Sequence, residues 1–109
     1  MNHGLNENTV AQIRATLARF PQVRKAVLFG SRAKGNFRPG SDIDLALIGS
    51  HLDWRLLGQI EDALDDLLLP YRFSLLHLTD ATDPDVASHI KRVGADFYER
   101  VAKPASWAA

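Results

Sequence analysis

Apolar positions recur along this 109-residue chain in two periods, and the switches between them predict its elements. Val10, Ile13, Leu17 and Phe20 stand at helical spacing and form one stripe. Asn6 precedes the stripe as N-cap, Leu5 and Val10 make a hydrophobic staple, and Pro21 ends the helix. Lys25 to Phe29 and Asp42 to Ile48 then read as strands, with a loop carrying Gly35, Asn36, Pro39 and Gly40 between them that is expected to be mobile without ligand. Leu57, Ile60, Leu64, Leu67 and Leu68 return to the helical period, opened by Ser50-x-x-Asp53 as a capping box and closed by Pro70. Arg72 to Leu78 is the third strand. Asp83-Pro84-Asp85 starts a last helix that Gly94 stops after about Val93, and Ala95 to Tyr98 add a short edge strand.

Helix, strand, loop, strand, helix, strand, helix is an α/β (α+β) order. It predicts a small two-layer sandwich, a short mixed sheet with helices mainly on one face and the functional site on its rim. A chain of this length is expected to be one domain spanning 1–109, with a core over about 6–98. Residues 103–109 read as a loose tail, in which Trp107 is an odd residue to leave in water.

Composition narrows the function classes. Lys+Arg and Asp+Glu both number 13, which argues against a general nucleic-acid binder, because such proteins carry a basic excess. The charges are segregated instead: five basic residues and no acid between Arg24 and Ser41, and an acidic helix with Glu61, Asp62, Asp65 and Asp66. That acidic face reads as solvated, or as a docking surface for a basic partner. There is no cysteine, which excludes disulfides and cysteine–zinc sites. No signal pattern opens the chain and no apolar run reaches membrane-spanning length, so the expectation is a cytoplasmic protein.

The chemistry concentrates in one stretch. Asp42 and Asp44 are two apart on a strand, so they share a face with Cα atoms about 6.6 Å apart. Two such carboxylates repel unless a cation sits between them, and all-oxygen ligands suit Mg²⁺ or Mn²⁺. Upstream, Gly30 lets the backbone approach a ligand closely, and Ser31 can cap a short helix whose N–H groups favour phosphate. Arg32, Lys34 and Arg38 add positive charge. Phosphate-seeking and cation-seeking groups are adjacent, as a metal–nucleotide complex requires. His3, His51 and His89 have no companions at metal-ligand spacing and read as surface residues.

Gly30-Ser31, ten intervening residues and Asp42-x-Asp44 resemble the signature of the nucleotidyltransferase superfamily that includes DNA polymerase β. The Gly-Ser-Arg-Ala-Lys-Gly and Ser-Asp-Ile-Asp-Leu segments are most similar to the minimal nucleotidyltransferases (MNT) of bacteria and archaea, commonly encoded beside a helical HEPN protein as a toxin–antitoxin pair. The resemblance spans roughly Val10 to Tyr98. It implies a metal-dependent transfer of AMP from ATP, or of another nucleotide from its triphosphate, to a hydroxyl of a HEPN-type partner. Asp42 and Asp44 would hold Mg²⁺ or Mn²⁺ and act as catalytic residues, while Gly30, Ser31, Arg32 and Lys34 would bind the nucleotide. It leaves open a homo-oligomer, and transfer to RNA or a small molecule ranks lower.

One position departs from the family pattern. A third carboxylate is expected on the third strand, where this chain has Leu69-Pro70-Tyr71-Arg72-Phe73-Ser74-Leu75-Leu76-His77. The expected Asp is Ser74, a poor general base and a weak ligand. His77 or Asp80 could substitute, but residue 77 faces away from residue 74 unless the strand bulges. Ser74 therefore favours an alternative in which the chain is a catalytically impaired, nucleotide-binding antitoxin acting by complex formation.

Overall fold

In a computed structural model the described residues are 4–100; the predicted tail at 103–109, with Trp107, and His3 lie outside them. Helix α1 spans Glu7–Ala18, and its N-cap Asn6 accepts the Thr9 amide at 2.7 Å, as the capping pattern requires. It ends two turn residues before Pro21. Strand β1 (Val23–Phe29) runs into the one-turn helix α2 (Gly30–Lys34), and β2 (Ile43–Gly49) follows the loop. Helix α3 (Trp54–Asp65) is capped by Asp53, which accepts the Leu56 amide at 2.8 Å. Asp53, rather than Ser50, is thus the cap, because the chain turns at His51 (φ 60°) before the helix begins. Strand β3 (Phe73–His77), helix α4 (Pro84–Val93) and strand β4 (Ala95–Glu99) complete the order, with Asp83 capping α4 from the position its Asp-Pro-Asp sequence indicates.

The sheet order is β3-β2-β1-β4, with β1 antiparallel to both neighbours and β2 parallel to β3. Alternation along the strands assigns the faces. Ala26, Leu28, Ile43, Leu45, Leu47 and Phe73 join Ile13, Leu17, Ile60 and Leu64 in the main core, beneath α1 and α3. Val27 and Ala46 point the other way and meet Ile90 of α4 in a smaller cluster, with Phe29, Ile48 and Leu76 around it. The mixed sheet with most of its helical packing on one face is the architecture expected, and α4 adds a partial cover on the other.

The stripe expected on α3 stops short. Ile60 and Leu64 are buried, but the helix ends at Asp65, so Leu67 and Leu68 lie in the following turn. Leu68 adopts φ 56° and is 89 % exposed, outside the helical period that would have buried it. The four acids of this segment are exposed, as expected of a solvated face. Among the described residues no helix is long and apolar enough to cross a membrane.

Candidate active site

Gly30, Asp44 and Ser74 meet at one end of the sheet. The registers pair Phe29 with Asp44 and Asp44 with Ser74, so one row crosses β1, β2 and β3. In each strand these residues are two positions from Val27, Ala46 or Leu76, which puts the row on the α4 side of the sheet, beyond the smaller cluster. Ser74 is exposed beside Asp44, where the third carboxylate would stand.

Gly30 is required at its position twice over. Its φ of +73° is left-handed, and a Cβ there would overlap the Asp44 Oδ2 and lie 3.1 Å from its Cγ. The turn and the carboxylate are therefore packed directly on one another, although Gly30 and Asp44 stand fourteen positions apart in the chain. The residue capping α2 is Phe29, with no side-chain hydrogen bond, so Ser31 lies inside the first turn of α2 and is not its cap.

Asp42 precedes β2 instead of belonging to it, because the Ile43 amide already bonds to the Arg72 carbonyl (2.8 Å) where the ladder starts. It is exposed, and its charge still reaches Asp44. Burial pushes the Asp44 carboxyl above its ordinary range, Asp42 pushes it further, and His89 opposes both. A carboxylate destabilised by desolvation and a like charge suits a bound cation. Among the described residues no three His, Asp or Glu side chains form a metal cluster. The donor set thus fits a divalent ion whose remaining oxygens come from phosphates and water, and it does not provide a second, all-protein position at Ser74.

The structure gives Arg32 a different place from the one its sequence position implied. It is 1 % exposed, and its guanidinium donates to the Ser41 carbonyl (2.9 and 3.2 Å) and the Pro39 carbonyl (3.3 Å). It lies over the rings of Tyr71 (4.8 Å) and Phe37 (5.3 Å). These partners make it a tie between α2 and the loop leading to Asp42. The loop itself, expected to be mobile, is closed by a turn in which the Arg38 amide donates to Ser41 Oγ (2.8 Å) and the Ser41 amide to the Arg38 carbonyl (2.9 Å). Lys34 and Arg38 remain exposed cations.

Neither stand-in for the third carboxylate reaches the row. The β2–β3 register runs without a shift through Leu47 and His77, so His77 points to the face opposite Ser74. Asp80 lies six positions beyond Ser74, past the end of β3 at His77. His89, in contrast, is not the isolated surface histidine expected. Its ring meets Phe29 edge-on, with centroids 6.4 Å apart and planes at 83°. Only the packing of α4 on the sheet brings it there, and no spacing along the chain announces it.

The family model for polymerase β nucleotidyltransferases matches residues 11–103. Among solved structures, a chain of a toxin–antitoxin complex with AMP-PNP superimposes with a TM-score of 0.67 at 23 % identity, over 88 % of this chain and 75 % of that one. A complex of tri-AMPylated Shewanella oneidensis HEPN toxin with MNT antitoxin gives 0.67 at 18 % identity, over 88 % and 74 %. The MntA–HepT toxin–antitoxin complex gives 0.65 at 18 % identity, over 87 % and 74 %. At these identities the likeness is one of fold. Curated protein sequences yield no match.

Proposed function

Because the chain belongs to the polymerase β nucleotidyltransferase family, we propose that it is a metal-dependent nucleotidyltransferase moving AMP from ATP to a hydroxyl of a HEPN-type partner protein, as the antitoxin of a toxin–antitoxin pair in the cytoplasm. The observation that carries this reading is the packing of Gly30 on Asp44, with Asp42 close enough to perturb it electrostatically. The solved relatives support the substrate and partner, since one holds AMP-PNP and another an AMPylated HEPN toxin.

In this reading Asp42 and Asp44 would hold Mg²⁺ or Mn²⁺, which would supply positive charge against the triphosphate. Gly30 leaves the backbone bare where the phosphates approach, and Ser31 and Lys34 supply donors around them. The acceptor hydroxyl oxygen attacks the α-phosphorus from the Ser74 side and gives its proton to solvent water, while the bond to pyrophosphate breaks and its electron pair leaves with the pyrophosphate. Arg32 serves by holding the loop that presents Asp42.

A second reading follows from Ser74. Its hydroxyl is a poor base for the acceptor proton, and base assistance is worth about 10²–10⁴-fold. A chain that binds nucleotide and partner while transferring slowly, or not at all, would act by complex formation.

Intact-mass spectrometry separates the two. The helical partner is incubated with this chain, ATP and Mg²⁺, and with Asp42→Ala/Asp44→Ala as control. An AMP-sized increase absent from the control supports transfer. No increase, with the complex formed and magnesium–ATP bound, supports the binding role, and Ser74→Asp should then raise transfer by about tenfold or more if the missing carboxylate is the cause.

A further inference from the structure

We propose that His89 of α4 is a phosphate-contacting residue of the nucleotide site, donating an imidazole N–H to the pyrophosphate part of the bound triphosphate. The assignment rests on the nucleotidyltransferase reading above and extends it to a residue outside the Gly-Ser and Asp-x-Asp segments.

The placement comes from the sheet. Phe29, Asp44 and Ser74 form one row across three neighbouring strands, so Asp44 has a different neighbour on each flank. Ser74 occupies the β3 flank, where the acceptor approaches. On the β1 flank Phe29 leads directly into Gly30 and Ser31, and it is over Phe29 that the His89 ring stands, edge-on at 6.4 Å. Helix α2 packs against α4 as well, which sets the helix that carries His89 beside the one that opens with Gly30 and Ser31. A group on this flank lies at the phosphate end of the substrate and not at its acceptor end.

The chemistry of the position agrees. His89 is half-buried, and among the described residues neither of its ring nitrogens is taken by a hydrogen bond. It makes no ion pair with Asp44 within 4 Å among those residues, yet the two sense each other electrostatically. Arg32, the cation first expected to serve the phosphates, is committed to the Ser41 and Pro39 carbonyls. A donor is therefore needed where the polyanion meets two carboxylates, and a neutral imidazole already carries one N–H, so the contact does not require protonation.

Isothermal titration of the purified chain with magnesium–ATP and with AMP tests this. His89→Phe keeps a ring against Phe29 and removes the donor, whereas His89→Gln restores an N–H. The expected result is a loss of magnesium–ATP affinity of about tenfold or more in His89→Phe, little change for AMP, and substantial recovery in His89→Gln. Unchanged magnesium–ATP affinity in His89→Phe overturns the assignment, as do an equal loss for ATP and AMP or a loss that His89→Gln does not recover. Intact ATP affinity with lost transfer would move His89 to the acceptor side and also overturn it. These outcomes leave the nucleotidyltransferase reading in place; failure of the unmodified chain to bind magnesium–ATP would remove both.

Discussion

Gly30→Ala measures how tightly the phosphate turn and the carboxylate depend on each other. Two costs act at that position. A non-glycine residue at φ +73° loses about 1–2 kcal/mol to backbone strain. The new Cβ would also occupy the space of the Asp44 Oδ2, forcing that short side chain off its rotamer at about 1 kcal/mol. The sum, about 2–3 kcal/mol, corresponds to a fall in Tm of roughly 10–20 °C for a domain of this size. Gly35→Ala is the matched control, because Gly35 has φ +85° but nothing within 4 Å of an added Cβ, so it carries the backbone cost alone. Urea denaturation followed by circular dichroism should therefore rank Gly30→Ala about 1 kcal/mol below Gly35→Ala, and Gly30→Ala/Asp44→Ala should recover that difference. Transfer, or magnesium–ATP binding if transfer is slow, should fall far more than stability, because an ångström of carboxylate displacement costs on the order of 10²-fold in rate. If Gly30→Ala is no less stable than Gly35→Ala and binds magnesium–ATP like the unmodified chain, the packing of the turn on Asp44 is not what organises the site.

Two further substitutions probe the same region. Arg32→Lys keeps the charge but cannot span the Ser41 and Pro39 carbonyls or stack as a plane on Tyr71, so it should destabilise by about 2 kcal/mol and Arg32→Ala by about 3 kcal/mol, read as shifts in the urea midpoint; an Arg32→Lys chain of unchanged stability that has lost ATP affinity would return Arg32 to the phosphates. Asp44→Asn should stabilise the protein at neutral pH without divalent ions, since burial and Asp42 both raise the folded carboxyl's pKa. The sign is set by linkage: with the pKa raised on folding, the native state holds the proton longer, so the contribution of Asp44 is present below its ordinary pKa and is lost as pH rises through the raised value. The stability gap between Asp44→Asn and the unmodified chain should thus widen from acid to neutral pH, and Mg²⁺ should raise Tm only in the unmodified chain; a gap independent of pH would contradict the desolvated-carboxylate argument.

Much of this protein was legible along the chain, for a physical reason in each case. Helix caps at Asn6, Asp53 and Asp83 are local hydrogen bonds to amides two or three residues away, so short-range pattern suffices to find them or to come within a few residues. Val10, Ile13, Leu17, Ile60 and Leu64 are buried because a stripe at helical spacing has one apolar side to hide. Gly30 and the acids at 42 and 44 were conspicuous because left-handed backbone and paired carboxylates restrict residue type wherever they occur.

What the chain order could not convey is direction and proximity between elements. Arg32 carries the same guanidinium whether it faces a phosphate or a loop carbonyl; the folding back of residues 37–41 over α2, with Tyr71 behind, decided that it is buried. Leu68 kept the apolar spacing of α3, and only the end of the helix at Asp65 turned it into solvent. Ser74 was found by matching a motif, but its position beside Asp44 is a property of the parallel β2–β3 register, which pairs residues thirty apart. His89 lies forty-five residues from Asp44, and the packing of α4 across the sheet alone brings its ring onto Phe29. Sequence by itself determined the elements, the main core and the two halves of the candidate site, because those rest on interactions within a few residues or on intrinsic conformational limits; the tertiary structure decided how Arg32 and His89 are placed around it, because that depends on distances between segments that no local pattern encodes.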